Sequence, residues 1–206
     1  MAKKGTKGGA DKLRCDRMKV TCVGIRPVMF DRYVAQDELD RAAEEKLYLD
    51  DERRVCFPAL NIFSFLGADQ GSKSCAAVFM GRERASYVRG VAASIQIDPD
   101  LVPFTREGKP IVFDKFDASE RDTAAGLHIE HHVARVKKGA QLIPMEKTRP
   151  VLELPWALAF TVTIYDLGTP VKPDIIRRWF HRGGIEIGFG TFRPVYGRFV
   201  TTVEML

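Results

Sequence analysis

Three stretches of the 206-residue chain carry residue types that could do chemistry. The first is GFGTFRPVYGRF, Gly188 to Phe199. Its glycines, Gly188, Gly190 and Gly197, would let backbone N–H groups approach a phosphate, and Arg193 and Arg198 would add positive charge. Phe192 and Tyr196 could stack on bases, each contact worth about 1–3 kcal/mol. The same glycines equally suit a turn that needs positive φ beneath a neighbouring helix. The second stretch is GRERASYVRG. Arg82, Arg84 and Arg89 with Tyr87 have the arginine-plus-aromatic mix of a single-strand groove, and they also fit a solvated helix end.

The third stretch, HIEHH, points toward catalysis. His128, Glu130, His131 and His132 could offer imidazoles and a carboxylate to a metal, or a general acid–base pair for RNA cleavage. The spacing argues against both. On a strand His128 and His132 share a face, Glu130 is the only acid with them, and the order is not HExxH. No metal, no cofactor and no catalytic residue are therefore expected. GFGTFR lacks the third glycine and the strand-to-helix setting of a dinucleotide motif, and no P-loop occurs. Lys137 and Lys138 fit a flap tip that clamps a backbone or a plain solvated turn. Arg149, Arg177 and Arg178 are weaker candidates of the same type, and His181 reads as a helix-end residue.

Charge distribution bounds the partners. The net charge is +5, but residues 1–17 alone hold six Lys/Arg against two Asp. Residues 37–52 hold eight acids against two bases, and residues 172–198 six bases against two acids. One face could attract a polyanion while the acidic element meets a second copy, or both faces are simply solvated. No run of 18 apolar residues predicts a membrane span, and the basic N-terminus lacks the apolar core of a signal peptide. Four cysteines without a CxxC pair read as reduced thiols, so a cytoplasmic protein is expected.

The elements that must position these residues follow from local pattern. Residues 1–16 read as a disordered basic tail, and residues 17–206 as a single RRM-like domain with an insertion at about 101–147. MKVTCVGIRPVMF predicts a strand and AQDELDRAAEEKLYL a short amphipathic helix. VCFPALNIFSFLGA predicts a helix started by Pro58, stopped at Gly67 and buried on all sides. GSKSCAAVFMGRERASYV reads as a helical piece ending in the basic turn, followed by the strand GVAASIQIDP. HIEHHVARV and QLIPM predict an inserted hairpin around KKGA. WALAFTVTIYD alternates cleanly as a strand, PDIIRRWFHRGG is a helix stopping at Gly183–Gly184, and IEIGFGTF and GRFVTTVEML are strands.

The order helix, G-φ-G, six residues, G-x-φ and final strand is more specific. With Gly188, Gly190 and Gly197 as the glycines and Phe189 and Phe199 as the apolar positions, it resembles the C-terminal glycine-rich loop of the repeat-associated mysterious protein superfamily. These are the RRM-like RNA-binding proteins of CRISPR systems. CFPALNIFSFL is similar to the Pro-initiated helix that their backbone subunits carry after the first strand, and the inserted flap matches their thumb. The resemblance implies an α+β fold: an RRM- or ferredoxin-like antiparallel sheet with helices on one face and an inserted hairpin. It implies a non-catalytic single-stranded RNA-binding protein, with single-stranded DNA left open. Copies would line a strand beside other ribonucleoprotein subunits, acidic residues 37–52 meeting a neighbour's basic C-terminal segment. Arg82, Arg84, Tyr87, Arg89, Lys137, Lys138, Arg193, Tyr196 and Arg198 would carry the binding. The alternatives are a metal-free endoribonuclease using His128, His131 or His132, or a phage-encoded structural protein that assembles without nucleic acid.

Overall fold

A computed structural model of the protein describes residues 14–32, 42–68, 73–138 and 141–206, with the backbone alone at 134–138, 141–143 and 145. β1 (Cys15–Gly24) buries Met18, Val20 and Cys22 on one face, and a two-residue β2 (Val28–Met29) follows. β3 (Cys56–Pro58) runs into α1 (Ala59–Gly67), where Pro58 caps the helix with its fixed φ. α2 (Cys75–Phe79) begins at Ser74, whose hydroxyl accepts from the Ala77 N–H at 3.2 Å. α3 (Arg84–Ser94) leads into β4 (Ile95–Asp98) and then β5 (Leu101–Pro103), which pairs with β3. β6 (Thr105–Arg106) and β7 (Lys109–Pro110) form a small hairpin, and β8 (Arg121–Asp122) precedes two long strands, β9 (Leu127–Lys138) and β10 (Gln141–Leu152). β11 (Ala157–Tyr165), α4 (Pro173–Glu186) and β12 (Phe199–Met205) complete the chain.

The central sheet has the order β12–β1–β11–β4, with every neighbour antiparallel. Helices connect β1 to β4 and β11 to β12, so the topology is the doubled split βαβ of a ferredoxin-like α+β fold. Leu158, Phe160 and Val162 alternate inward from β11, as the sequence pattern predicts, and meet Phe65, Phe180 and Phe199 in the core under the helices. The connection from β4 to β11 carries three strands of the second sheet, ordered β2–β10–β9–β8, and β2, from the segment after β1, joins its edge. Its main feature is the β9–β10 hairpin, paired from Leu127↔Leu152 to Lys138↔Gln141.

Several local expectations need correction. Cys15 and Asp16, placed in the tail, already pair with Tyr165 and Ile164 in β1. Residues 1–13 and 33–41 lie outside the described residues. Of the expected acidic helix, the described part is a single 3-10 turn at Ala43–Lys46. α1 is buried on one side only: Ile62, Phe65 and Leu66 face inward, while Leu60 is exposed and Asn61 and Ser64 are half-buried. Gly81, at φ 51°, interrupts the next helix, so the arginines open α3 rather than close α2. α3 extends to Ser94 and takes the first half of the predicted strand.

α4 does not stop at Gly183–Gly184 but continues to Glu186. Packing explains both glycines. A Cβ at Gly183 would stand 2.6 Å from Phe65 Cζ and 2.7 Å from Cys75 Sγ, and one at Gly184 2.5 Å from the Phe199 carbonyl oxygen. They let a helix approach its neighbours, so Ile185 and Glu186 are helical and 187–198 is loop rather than strand.

Candidate nucleic-acid interface

The glycine loop is held by its own backbone. Beyond α4 the Gly188 N–H donates to the Gly183 carbonyl at 2.8 Å, and Gly188 turns the chain with φ 77°. The Phe189 N–H donates to the Gly197 carbonyl at 2.8 Å and the Gly197 N–H to the Pro27 carbonyl at 2.7 Å. The Thr191 N–H donates to the Met29 carbonyl at 2.9 Å. Gly190 and Gly197, at φ 77° and 72°, leave no room for a Cβ beside the Met29 and Phe189 carbonyl oxygens. Phe189 lies buried, stacked on Phe199 at 4.3 Å. The loop is thus the fold's last turn, and Phe192, Arg193 and Tyr196 are the side chains that it turns toward the hairpin and the neighbouring cleft.

Two of those side chains reach separate neighbours. The Tyr196 hydroxyl donates to Glu130 Oε2 at 2.6 Å, which ties the loop to the hairpin. Glu130 also holds His132 Nε2 at 2.8 Å and His128 Nε2 at 3.2 Å. His128 Nδ1 lies 3.1 Å from Glu153 Oε1, close enough to pair as ions but without hydrogen-bond geometry. Burial pushes the Glu130 carboxyl up, but hydrogen bonds from Tyr196, His128 and His132 and the charge of His128 bring it below its ordinary value. Burial and the bond to Glu130 push the Tyr196 phenol up to about 12. Phe192, at φ 54°, rests on the His132 ring at 5.0 Å and under the Arg149 guanidinium at 4.9 Å. Arg149 is buried and ion-paired with Asp31 at 2.7 Å.

Arg193 points the other way, into a cleft of about 260 Å³ between the loop, α1 and Asp31. Buried rings of Phe30, Phe57 and Phe189 line it, with Tyr48, Asn61, Ser64 and Thr191 at its polar edge. Burial of the guanidinium depresses the Arg193 pKa, and its hydrogen bond to the Gly188 carbonyl is a long one, 3.5 Å.

The other expected residues are dispersed. Arg82, Arg84 and Arg89 are exposed along the 3-10 turn Gly81–Glu83 and α3, whereas Tyr87 tilts against Trp179 at 5.8 Å. Arg198 is half-buried, and its Nε is buried without a hydrogen-bond partner among the described residues. Lys137 and Lys138 end β9 beside the tip at 139–140, which lies outside the described residues. His131 stands on the opposite hairpin face, between Glu120 Oε2 at 2.7 Å and Glu146 Oε1 at 3.2 Å, and the Glu120 bond raises its pKa. The open face of the central sheet carries Lys19, Thr21, Ala159, Thr161 and Thr202 at its middle, so the aromatic platform of an RRM-like sheet is not built there.

Among the described residues no cysteine is an activated thiol. The four cysteines are free, and burial raises the thiols of Cys22, Cys56 and Cys75. Among the described residues no group of three His, Cys, Asp or Glu could hold a metal ion. Nor is any helix among them long and apolar enough to cross a membrane. Sequence reasoning missed Asn61 and Ser64, although two polar residues three apart on an apolar helix were a legible sign of an open face. It also missed Asp31, Glu120, Glu146 and Glu153, which only long-range pairing brings to the loop and the histidines.

No family model and no curated protein matches the sequence. Among solved structures, the fold is similar to a chain in the cryo-EM structure of the type III-B Cmr-beta bound to cognate target RNA. The TM-score is 0.56 at 8% identity, over 93% of this chain and 61% of that one. The chain therefore spans less than two thirds of that neighbour's length, and what the two share is a fold.

Proposed function

We propose that this protein binds single-stranded RNA without cleaving it, as a member of the repeat-associated mysterious protein superfamily, and that several copies line one strand in the cytoplasm. The observation that carries the reading is the fold likeness to a chain from an RNA-bound assembly, across 93% of this chain. Its geometry supplies the means. Arg82 and Arg89 are exposed on the 3-10 turn Gly81–Glu83 and on α3, and neither has an acidic ion-pair partner among the described residues. Such cations attract phosphates in a salt-dependent, sequence-independent way. Lys137 and Lys138 end a hairpin long enough to close over a strand. Purification with and without nuclease treatment tests the reading through particle size and the 260/280 absorbance ratio. Large, nucleic-acid-rich particles that collapse on treatment are expected. A nucleic-acid-free monomer indifferent to single-stranded oligonucleotides at low salt would overturn it.

A second reading, a metal-free endoribonuclease, draws on the His128–Glu130–His132–Tyr196 network beside the loop. One histidine would take the proton of a 2′-hydroxyl as its oxygen bonds to the adjacent phosphorus, and another would protonate the 5′-oxygen that leaves, giving a 2′,3′-cyclic phosphate. Against it, Glu130 already engages one ring nitrogen of each, and Tyr196 takes up the same carboxylate. RNA left intact by the purified protein, or cut equally well after replacement of His128, His131 and His132, ends this reading.

A further inference from the structure

The cleft beside α1 combines an aromatic base with polar groups that the protein does not use. Phe57 and Phe189 lie 4.8 Å apart at 33°, with Phe30 beside them. Above these rings, the Asn61 amide and the Ser64 hydroxyl, one turn apart on α1, make no side-chain hydrogen bond among the described residues. Among the described residues the Arg193 side chain reaches only the Gly188 carbonyl, at 3.5 Å. Asp31 gives Oδ2 to Arg149, at 2.8 Å from Nε and 2.7 Å from Nη2, while its Oδ1 has no partner among the described residues.

A phosphate fits this cleft poorly, because three phenyl rings would desolvate it and the Asp31 carboxylate would repel it. A planar ligand with an apolar face and a polar rim fits both parts. The volume, about 260 Å³, falls below the roughly 300–1,000 Å³ of pockets for drug-sized ligands, which suits one base and not a stack. The donors and acceptors narrow the class further. Guanine presents two adjacent donors, N1–H and N2–H, that the remaining oxygen of Asp31, Oδ1, can accept, and two adjacent acceptors, O6 and N7, that a guanidinium bridges. Adenine and cytosine would turn a ring-nitrogen acceptor toward the carboxylate, and uracil has a single ring donor flanked by carbonyls.

We propose that this cleft takes one unstacked guanine base, read by Asp31 and Arg193 over the apolar floor that the nearly buried Phe30, Phe57 and Phe189 give the cleft. The proposal rests on the RNA-binding reading and adds to it a base preference. Sources of guanine other than RNA share the same chemistry, so the test includes a free nucleotide.

The full chain is titrated by fluorescence anisotropy against a short labelled RNA of A and U only. The same RNA then carries a single central guanosine, inosine, which lacks the 2-amino donor, or 7-deazaguanosine, which lacks N7. Guanosine is expected to bind about tenfold more tightly than adenosine at that position, and each analogue to lose most of the gain. Ser64→Phe, which fills the cleft from the open side of α1, is expected to abolish the guanosine preference while leaving binding of the A/U strand. A thermal melt confirms that this variant folds, and the base analogues test the idea without any change to the protein. Equal affinity for all four RNAs overturns the guanine pocket and leaves RNA binding standing. GMP bound without any RNA bound supports the pocket and overturns the RNA reading. Neither bound overturns both.

Discussion

Gly197→Ala separates a loop built for the fold from a loop built for a phosphate. Gly197 and Gly108 share a left-handed backbone, at φ 72° and 77°, and differ in surroundings. Gly108 sits in the β6–β7 turn with nothing within 4 Å of an added Cβ, whereas at Gly197 the Cβ would drive into the Phe189 carbonyl. The left-handed strain of about 1–2 kcal/mol falls on both alanines. Reduced freedom of the unfolded chain returns about 0.4–1 kcal/mol to both. Only Gly197→Ala adds overpacking against backbone, about 1–3 kcal/mol, and a weakened Phe189–Gly197 hydrogen bond, about 1 kcal/mol. The two variants should therefore differ by at least about 2 kcal/mol, or about 1 M in urea midpoint at a slope near 2 kcal/mol/M. Equal midpoints, with RNA binding weakened only in Gly197→Ala, would refute the packing account and return the glycines to phosphate recognition.

The Tyr196–Glu130 bond gives a pH test. A phenol raised to about 12 contributes stability that is complete below its ordinary pKa near 10 and is lost as pH rises through 12. Tyr196→Phe should thus narrow its deficit relative to wild type as urea midpoints are followed upward from pH 10, and a constant gap would contradict the bond. Glu130 has the opposite sign: its depressed carboxyl stabilises above the ordinary carboxylate pKa and ceases to do so as pH falls through its folded value. Wild type should therefore lose more stability than Glu130→Gln between neutral and acid pH, as read by the same midpoints. Asp31→Ala leaves the buried Arg149 without its counter-charge and should cost about 3–5 kcal/mol. Asp31→Leu combined with Arg149→Leu should recover most of that loss in thermal or urea unfolding, and no recovery would mean the pair is not what holds the site.

The parts of the fold legible in sequence are those set by local period. β11 alternates because one face meets the helices and the other does not, and Pro58 fixes the start of α1 through its own ring. Gly183 and Gly184 misled because two adjacent glycines normally end a helix, while here Phe65, Cys75 and Phe199 press against them from three different elements. Nothing local reports such pressure. The site divides in the same way. Arg193, Tyr196 and the glycines share one short segment and could be seen together, but Tyr196 meets Glu130 across 66 residues and Arg149 meets Asp31 across 118. Those pairs depend on how β10 aligns with β9 and β2, which the alternation of either strand leaves undetermined.

The glycine loop therefore acts as a bracket between two structures. Its backbone is committed to Pro27, Met29 and Gly197, so it has little freedom to adjust to a ligand. Its side chains divide the surroundings: Tyr196 and Phe192 grip the hairpin, and Arg193 enters the cleft. Phe192 and Arg193 are adjacent but turn to opposite sides of a backbone that is already hydrogen-bonded, so the hairpin contact and the cleft are held separately. Loosening the grip without touching the cleft tests that separation. Tyr196→Phe removes one hydrogen bond, worth about 0.5–1.5 kcal/mol or somewhat more for a charged acceptor, while leaving the ring in place. If the hairpin holds the strand and the cleft reads a base, this variant weakens binding of A/U and guanosine RNAs by the same factor. A change confined to the guanosine strand would show instead that Tyr196 acts on the cleft, and the bracket would have to be redrawn with Arg193 and Tyr196 on one side.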